Sequence, residues 1–437
     1  MPLFIAVHGG AGYHAVEDRK ATKQALKTWV ILPMASPEVS GSGTAHNLQI
    51  AAASTASSND IVLSGVETAI RALEDDPILN AGYGSNLTEA GTVECDAAII
   101  AARASDGSGA AAPEFGSVAA APGLRNPISA AHAVLQNARR VDVLGRVPPM
   151  TLCGYGATDF ARTHGLEVVP DDQLVSDRAR VDWEYWTAQL RGESSVESKP
   201  QAEESMSRRL DAHQDTVGAV CLHFPSSGAP SAAAGVSSIR AVTGKPRSTA
   251  QGAGRDPLGS PTRKADRVSG GWRVVSPASR RTGEAIMRAN LARRISEELD
   301  RAWDAQDQGR SVLSGSDEED EDIGVIDNEL DVHQILYDVL KKEFGHGGQE
   351  MGWDGCDKPT VGVLVMVGNG DIVRLYSAFT AAGMAIAYAK DDVADRRTTP
   401  DSLRYGPAFV HAGKASNDSF IAYSTPLARL SAVLDAG

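Results

Sequence analysis

The sequence predicts a mixed α+β fold interrupted by long polar insertions. Short apolar runs at residues 3–7 and 361–367 have the length and residue types of buried strands, and residues 62–74 carry apolar side chains at helical spacing. No Gly-x-Gly-x-x-Gly motif follows a strand, and no phosphate-loop motif occurs. Because both motifs are missing, a βαβ nucleotide-binding fold is excluded. With 437 residues and 42% apolar content, the chain can bury a large core.

The first half alternates between predicted strands and helices. A strand at 3–7 runs into the Gly-rich turn His8–Gly12, and a Gly/Asn-rich loop, Asn80–Thr88, precedes a second strand. Apolar periodicity and turn residues predict the elements of this half as follows: strands 3–7, 92–100 and 115–121, and helices 20–32, 62–74 and 126–135.

The second half begins after a polar stretch, residues 170–212, whose composition predicts a flexible linker. Two apolar runs separated by a Pro/Ser/Gly turn predict a hairpin, and Gly368–Asp371 predicts another. The elements predicted here are strands 215–222, 232–236, 361–367, 372–380 and 421–423 and a helix 283–304.

Charge is distributed unevenly along the chain, whose net charge is −14. Nine acids and no base lie between Asp317 and Asp331, within a predicted acidic loop at 314–331, whereas residues 238–281 hold ten bases and two acids. The negative total argues against nucleic acid as a partner. No apolar run approaches the length of a membrane span, and no basic leader is present, so we expect no membrane partner and a cytoplasmic or nuclear location.

Cysteine and histidine spacing predicts neither a metal site nor a cofactor. The four cysteines form no Cys-x-x-Cys pair, which suits a reducing compartment, and the histidines form no His-Glu-x-x-His motif. Asp317–Asp322 lacks the alternating ligands of a calcium loop. We therefore expect chemistry carried by side chains and backbone alone.

The position of Thr216 is the most informative feature for chemistry. It lies where the polar linker ends and an apolar strand begins. If the chain is cut between Asp215 and Thr216, Thr216 gains a free α-amine of pKa ~7.7–8.0, which can take the proton of its own hydroxyl. The pattern leaves an alternative open, which is an ordinary threonine at a strand start.

Several motifs in order resemble the type-2 asparaginase family of N-terminal nucleophile hydrolases, and most of all its threonine aspartase (taspase) branch. The resemblance covers about two thirds of the chain. It rests on the following segments: His8–Gly12, Asn80–Thr88, Val93–Ala97, Gly116–Leu135, Gly145–Pro149, Asp215–Ser238, Gly283–Glu284, Leu291–Arg293, Arg374–Thr380 and Met384–Tyr388.

The resemblance implies a four-layer αββα sandwich and self-cleavage between Asp215 and Thr216. Residues 1–215 would form an α subunit and residues 216–437 a β subunit, which together make one composite domain and pair as a dimer of αβ units. Thr216 would be the nucleophile, and the hydroxyl of Ser238 would hold its amine. Gly10 and Asn86 would bind substrate, which for the taspase branch is a protein or peptide with aspartate at the cleaved bond.

Residues 239–281 depart from the family's pattern. The family places a Pro-Gly-Arg segment here for the substrate carboxylate, and a Ser/Thr-Gly-x-Gly-Glu turn for the oxyanion. The nearest equivalents are Arg247, one position out of register, and Thr282 with Gly283. We interpret this stretch as read out of frame or wrongly spliced, and we expect a transcript to restore both motifs. Taken literally, the chain keeps only Thr282-Gly283-Glu284 of the oxyanion turn. Because each missing oxyanion donor costs ~2.7–4 kcal/mol, we expect the chain as given to be badly impaired in self-cleavage and turnover.

Two other functions remain open at this point. An L-asparaginase or isoaspartyl peptidase would act on small substrates, and its carboxylate-binding and amine-binding groups would also come from residues 239–281. A catalytically inactive member could instead serve as a binding protein through its acidic or basic segment. Self-processing distinguishes the enzymes from the inactive member, because only an active chain would run as two fragments that meet at Thr216.

Overall fold

A computed structural model describes the chain at residues 3–12, 19–31, 57–103, 113–191, 216–225, 230–239, 272–278, 286, 289–313, 330–344, 361–369, 372–381, 383–390, 404–405, 410–411 and 420–429. These residues form two β-sheets with helices packed against them, as the α+β prediction requires. Among them, no helix is long and apolar enough to cross a membrane.

The larger sheet has nine strands in the described part of the chain. Its order is β11-β10-β1-β5-β6-β2-β3-β4, and β12 also pairs with β10. The bounds are β1 Leu3–Ala11, β2 Glu94–Arg103, β3 Glu114–Pro122, β4 Thr151–Cys153, β5 Val217–His223, β6 Ser231–Ile239, β10 Gly383–Lys390, β11 Arg404–Tyr405 and β12 Val410–His411. The predicted 215–236 hairpin is confirmed, because β5 and β6 pair antiparallel.

The smaller sheet, as far as the structure describes it, has four strands in the order β13-β9-β8-β7. Its strands are β7 Trp272–Ala278, β8 Gly362–Asn369, β9 Ile372–Phe379 and β13 Ile421–Arg429. Adjacent strands are antiparallel, and the predicted pairing of 361–367 with 372–380 is confirmed by β8 and β9.

Seven described α-helices accompany the sheets. They are α1 Arg19–Ile31, α2 Ser58–Glu74, α3 Pro127–Ala138, α4 Gly154–Thr163, α5 Asp177–Arg191, α6 Leu291–Leu313 and α7 Val332–Tyr337, which continues as a π-helical turn, Asp338–Phe344. Short 3-10 helices lie at Gly82–Gly84 and Asp171–Leu174.

Three of the four buried apolar clusters among the described residues show how the helices and the two sheets pack. The first joins helices α1 to α4 to one face of the nine-stranded sheet. The second contains residues of both sheets, such as Phe4, Val220 and Leu375. The third joins the four-stranded sheet to α6 and α7. Alternation along β5 and β6 therefore divides their side chains between a helix-covered face and a face that meets the other sheet.

Helix α2 is the element that fixes the middle of the nine-stranded sheet. A capping box of Ser57 and Asp60 begins it, with the Asp60 amide donating to Ser57 Oγ at 3.2 Å. It packs against β6 at Gly235, where a Cβ atom would lie 2.6 Å from Val66 Cγ1 and 2.9 Å from Ile70 Cδ1. Glycine at this position therefore permits the close approach of strand and helix.

Several sequence predictions need correction. The linker predicted at 170–212 is wrong for its first part, because a 3-10 turn and helix α5 occupy it. Arg178 of α5 holds the helix through bonds to the Gly84 carbonyl and to Asn86 Oδ1, the second at 3.3 Å. The basic stretch 239–281 contains a strand, β7, that its sequence pattern did not predict. The rest of the linker and most of the acidic loop 314–331 lie outside the described residues.

Candidate active site

Thr216 lies immediately before β5 and is 3% exposed. The next residue, Val217, pairs with Ser237 of β6. Continuing this register by one residue places Thr216 opposite Ser238. Facing residues of antiparallel strands have Cβ atoms ~4.5–5.5 Å apart, so the two predicted catalytic positions are neighbours in the sheet.

Asp96 of β2 flanks Ser238 on the other side. The β2–β6 register pairs Asp96 with Ser238, and Asp96 is 9% exposed. Its Oδ1 accepts a 2.6 Å hydrogen bond from the backbone amide of Ala120, a residue with a φ of 46°. Positions 216, 238 and 96 thus form a row across three adjacent strands, which ends in a buried carboxyl group.

His8 of β1 lies beside Thr216 on the opposite side from Ser238. It pairs with Gly218 of β5 and is fully buried. Burial lowers the pKa of His8 to about 3, although a hydrogen bond to the Thr216 backbone acts in the opposite direction. The imidazole is therefore neutral at physiological pH, and it can hold the Thr216 backbone without adding charge to the site.

Gly10, predicted to bind substrate, lies two residues beyond the His8–Gly218 pair. Its φ is 102°, a left-handed conformation that favours glycine, and the β1–β10 register shifts between His8 and Ala11. The strand therefore ends in an irregular backbone segment at the same end of the sheet as Thr216. Its role in substrate binding stays a prediction.

Asn86, the other predicted substrate residue in the described part of the chain, is held by its neighbours. Its backbone amide donates to Asn80 Oδ1 at 3.0 Å, and its own side-chain oxygen accepts a bond from Arg178. These contacts fix the loop that the Gly/Asn motif predicted. They give Asn86 a structural role, and its contact with substrate stays a prediction.

The remaining predicted site residues lie outside the described part of the chain. They are Asp215 on the cleaved bond, Arg247, Thr282 and Gly283. Ser238 is described only through its backbone position in β6. Among the described residues, no group of three or more His, Cys, Asp and Glu side chains could hold a metal ion.

Sequence comparisons identify the family. A profile of the asparaginase family, described as "Asparaginase", matches residues 1–238, which is more than half of the chain. The chain belongs to this family of hydrolases. The match ends at Ser238, one residue before the stretch whose sequence departs from the family's pattern.

Curated relatives of this family member carry asparaginase names. The isoaspartyl peptidase/L-asparaginase of Xenopus laevis is 33% identical over 183 residues, which is 42% of this chain and 48% of the relative. A probable isoaspartyl peptidase/L-asparaginase 2 of Arabidopsis thaliana is 35% identical over 176 residues, with 40% and 43% covered. A plant-type L-asparaginase of Pyrococcus furiosus is 30% identical over 222 residues, with 49% and 58% covered. The chain spans about half the length of these relatives.

The family resemblance predicted that Ser238 would lie beside Thr216, but the sequence did not mark the residues that flank them. Asp96 lies within the Val93–Ala97 motif, and His8 lies within the Gly-rich turn. The available signal for Asp96 was an acid inside an otherwise apolar strand, because a buried charge is costly unless it has polar partners.

Proposed function

We propose that the chain is a threonine-nucleophile amidohydrolase that cleaves itself between Asp215 and Thr216. It then hydrolyses side-chain amides or isopeptide bonds of aspartate in small substrates, as an L-asparaginase or isoaspartyl peptidase. The observation that carries the proposal is the row of positions 216, 238 and 96 beside a neutral His8. The names of the relatives favour the small-substrate activity over the endopeptidase activity.

Self-cleavage would begin when Thr216 Oγ1 attacks the carbonyl carbon of Asp215. The bond between that carbon and the Thr216 nitrogen breaks, the nitrogen takes up a proton, and an ester links Asp215 to Thr216 Oγ1. Water then hydrolyses the ester, which releases the Asp215 carboxylate and leaves Thr216 with a free α-amine.

Turnover would repeat the same chemistry on substrate. The α-amine of Thr216 takes the hydroxyl proton as Oγ1 attacks the substrate carbonyl, and the proton passes to the leaving ammonia or amine. Water then hydrolyses the acyl-enzyme. Ser238 would hold the amine in place, and the oxyanion donors would come from the turn at Thr282 and Gly283.

The proposal includes a four-layer αββα arrangement and a dimer of αβ units. The three apolar clusters support the layers, since one joins helices to the larger sheet, one joins the two sheets, and one joins helices to the smaller sheet. An endopeptidase that cuts after aspartate is the second candidate, and the Gly145–Pro149 motif favours it.

A denaturing gel of the purified chain tests self-cleavage. We expect the wild-type protein to give two fragments, with mass spectrometry placing a new N-terminus at Thr216, and T216A to remain one chain. T158A is the matched control. Thr158 is also buried, and its hydroxyl donates to the Pro122 carbonyl at 2.7 Å, so this variant loses a buried hydroxyl outside the row of positions 216, 238 and 96 and should still cleave.

Substrate assays then separate the activities. Release of ammonia from L-asparagine or cleavage of a β-aspartyl dipeptide supports the first candidate, whereas cleavage of a protein after aspartate supports the second. A wild-type chain that stays intact on long incubation contradicts both activities for this sequence, and it favours either a binding protein without activity or the altered reading of residues 239–281.

A further inference from the structure

Glu74, the last residue of α2, lies under the strand that carries Ser237 and Ser238. Ile70 and Glu74 are four residues apart and share one face of the helix, while Gly235 and Ser237 are two residues apart and share one face of β6. A Cβ atom at Gly235 would approach Ile70 to 2.9 Å, and the Ser237 side chain is among the groups that shift the pKa of Glu74, so Glu74 and Ser237 are neighbours.

The Glu74 and Ser237 side chains are both fully buried. Glu74 Oε1 accepts a 3.0 Å hydrogen bond from the Ile128 amide at the start of α3. Glu74 Oε2 and Ser237 Oγ are both buried, and neither atom has a hydrogen-bond partner of good geometry among the described residues. The Ser237 and Asn126 side chains lie near enough to the carboxyl group to lower its pKa. The Glu74 side chain thus joins α2 to α3 by a hydrogen bond, and its second oxygen lies near the unsatisfied Ser237 hydroxyl of β6.

Burial raises the pKa of Glu74 to about 8. The Ile128 amide and the nearby Ser237 and Asn126 side chains act against this shift, whereas the nearby charge of Asp75 adds to it. From β2, the thiol of Cys95 also faces the group, and its own pKa is raised mainly by burial. At neutral pH the carboxyl group therefore keeps its proton, which makes it a hydrogen-bond donor as well as an acceptor.

Ser237 immediately precedes Ser238 in the sequence, and across the sheet it pairs with Val217, the residue after Thr216. Its backbone pairs with Val217 in β5 and with Ala97 in β2, so it is bonded to the strand that begins just after Thr216 and to the strand that carries Asp96. A side chain that fixes Ser237 therefore fixes the spacing of positions 216, 238 and 96.

We propose that Glu74 is a positioning residue, whose protonated carboxyl group accepts a bond from Ile128 and donates one to Ser237. This holds the end of β6 beside Thr216. The inference rests on the proposed function for its effect on rate. Its structural part, the bond between Glu74 and Ser237, stands independently of any activity.

Hydrogen exchange tests the structural part without catalysis. In the uncleaved T216A chain, we expect E74L and S237A each to speed amide exchange in residues 216–239 by about tenfold, because local opening of the strand end becomes easier. E74Q should leave exchange unchanged, since its amide can accept from Ile128 and donate to Ser237. E67Q is the matched control, because Glu67 is a buried glutamate on the same helix whose carboxylate bonds to Ser129 and His132 of α3. Unchanged exchange in both E74L and S237A overturns the proposal.

The protonation state has its own spectroscopic test. The infrared difference between wild type and E74Q should show the carbonyl band of a protonated carboxyl group at neutral pH, and this band should disappear as the pH rises above about 8. A carboxylate band at neutral pH overturns the proposal, whether or not the chain is an enzyme.

The pH profile of turnover tests the effect on rate. We expect kcat of the wild type to fall as Glu74 loses its proton above about pH 8, and E74L to lower kcat about tenfold with little change in KM. E74Q should restore kcat and remove the alkaline fall. An alkaline fall that persists in E74Q contradicts the positioning role. Failure of the proposed function would be recognised differently, as a wild-type chain that never cleaves itself.

Discussion

Replacing Glu74 by glutamine should stabilise the protein by an amount that grows as the pH rises from about 5 to about 8. The ordinary pKa of a glutamic acid, 4.5, describes the unfolded chain, whereas burial raises the pKa of Glu74 to about 8 in the fold. Between these values the folded state binds a proton that the unfolded state has lost. The contribution of Glu74 is therefore fully present below pH 4.5, and it is lost as the pH rises to about 8.

The magnitude follows from linkage. The free energy of unfolding changes by ~1.4 kcal/mol per pH unit for each proton that the folded state binds and the unfolded state does not. The two pKa values are about 3.5 pH units apart, which corresponds to roughly 4–5 kcal/mol. Glutamine has a similar shape and does not titrate. The free energy of unfolding of E74Q should therefore exceed that of the wild type by nearly nothing at pH 4.5 and by about 2.7 kcal/mol two pH units higher. The difference should become constant above about pH 8.

Urea unfolding at about pH 5, 6, 7 and 8 measures this difference. Both proteins should carry T216A, so that a single uncleaved chain unfolds. E67Q is a control for which the stability difference from wild type should depend on pH in the opposite direction. Burial alone would raise the pKa of Glu67, but the hydrogen bond and charge of His132 and the bond from Ser129 hold the pKa below its usual range. The stability that the Glu67 carboxylate provides is present above pH 4.5 and lost as the pH falls. A difference between E74Q and wild type that does not change with pH refutes the reasoning.

Two further predictions concern close packing around α2. Gly235→Ala should lower the free energy of unfolding in urea by about 1–3 kcal/mol, because its Cβ atom would lie 2.6 Å from Val66 Cγ1. Adding V66A should recover part of that loss. A G235A protein as stable as the wild type contradicts the close packing. Gly82→Ala should lower the melting temperature, because Gly82 has a φ of 54° and its Cβ atom would lie 2.5 Å from the Glu74 carbonyl; an unchanged melting temperature contradicts the strain.

Much of the fold could be predicted because apolar periodicity is visible in the sequence. Helix α2 was predicted at 62–74 and begins at Ser58, and the capping box that extends it has a recognisable Ser-x-x-Asp pattern. Helix α5 could not be predicted in this way. Its buried residues are Ala179 and Asp182, and its position is held by contacts across the fold, such as the bond from the indole of Trp183 to the Glu89 carbonyl.

The candidate site was predictable only where chemistry marks a single residue. Thr216 stands out because a nucleophile follows a polar segment and opens a strand. Asp96 and Glu74 do not stand out, because their importance depends on strand register and on the packing of a helix face. Glu74 precedes Asp75 and Asp76, and the group has the composition of an exposed acidic turn. In the structure Asp75 does pair with Arg125 at 2.9 Å, near the surface, whereas Glu74 is fully buried.

The end of the family match and the position of β7 together sharpen the interpretation of residues 239–281. The match stops at Ser238, yet β7 pairs with β8 over seven residues from Trp272 to Ala278. Backbone pairing does not depend on particular side chains, so a stretch of the right length can supply the strand even where its sequence has lost the family's motifs. The substrate clamp and the oxyanion turn do depend on particular residues.

A transcript read through this stretch should therefore keep a strand that pairs with β8 and restore the Pro-Gly-Arg segment and the Gly-x-Gly-Glu turn. The corrected chain should then cleave itself faster than the chain as it stands. A complementary DNA that confirms residues 239–281 contradicts the altered reading. In that case the family's substrate clamp is absent from this chain, and the self-cleavage assay measures what positions 216, 238 and 96 achieve without it.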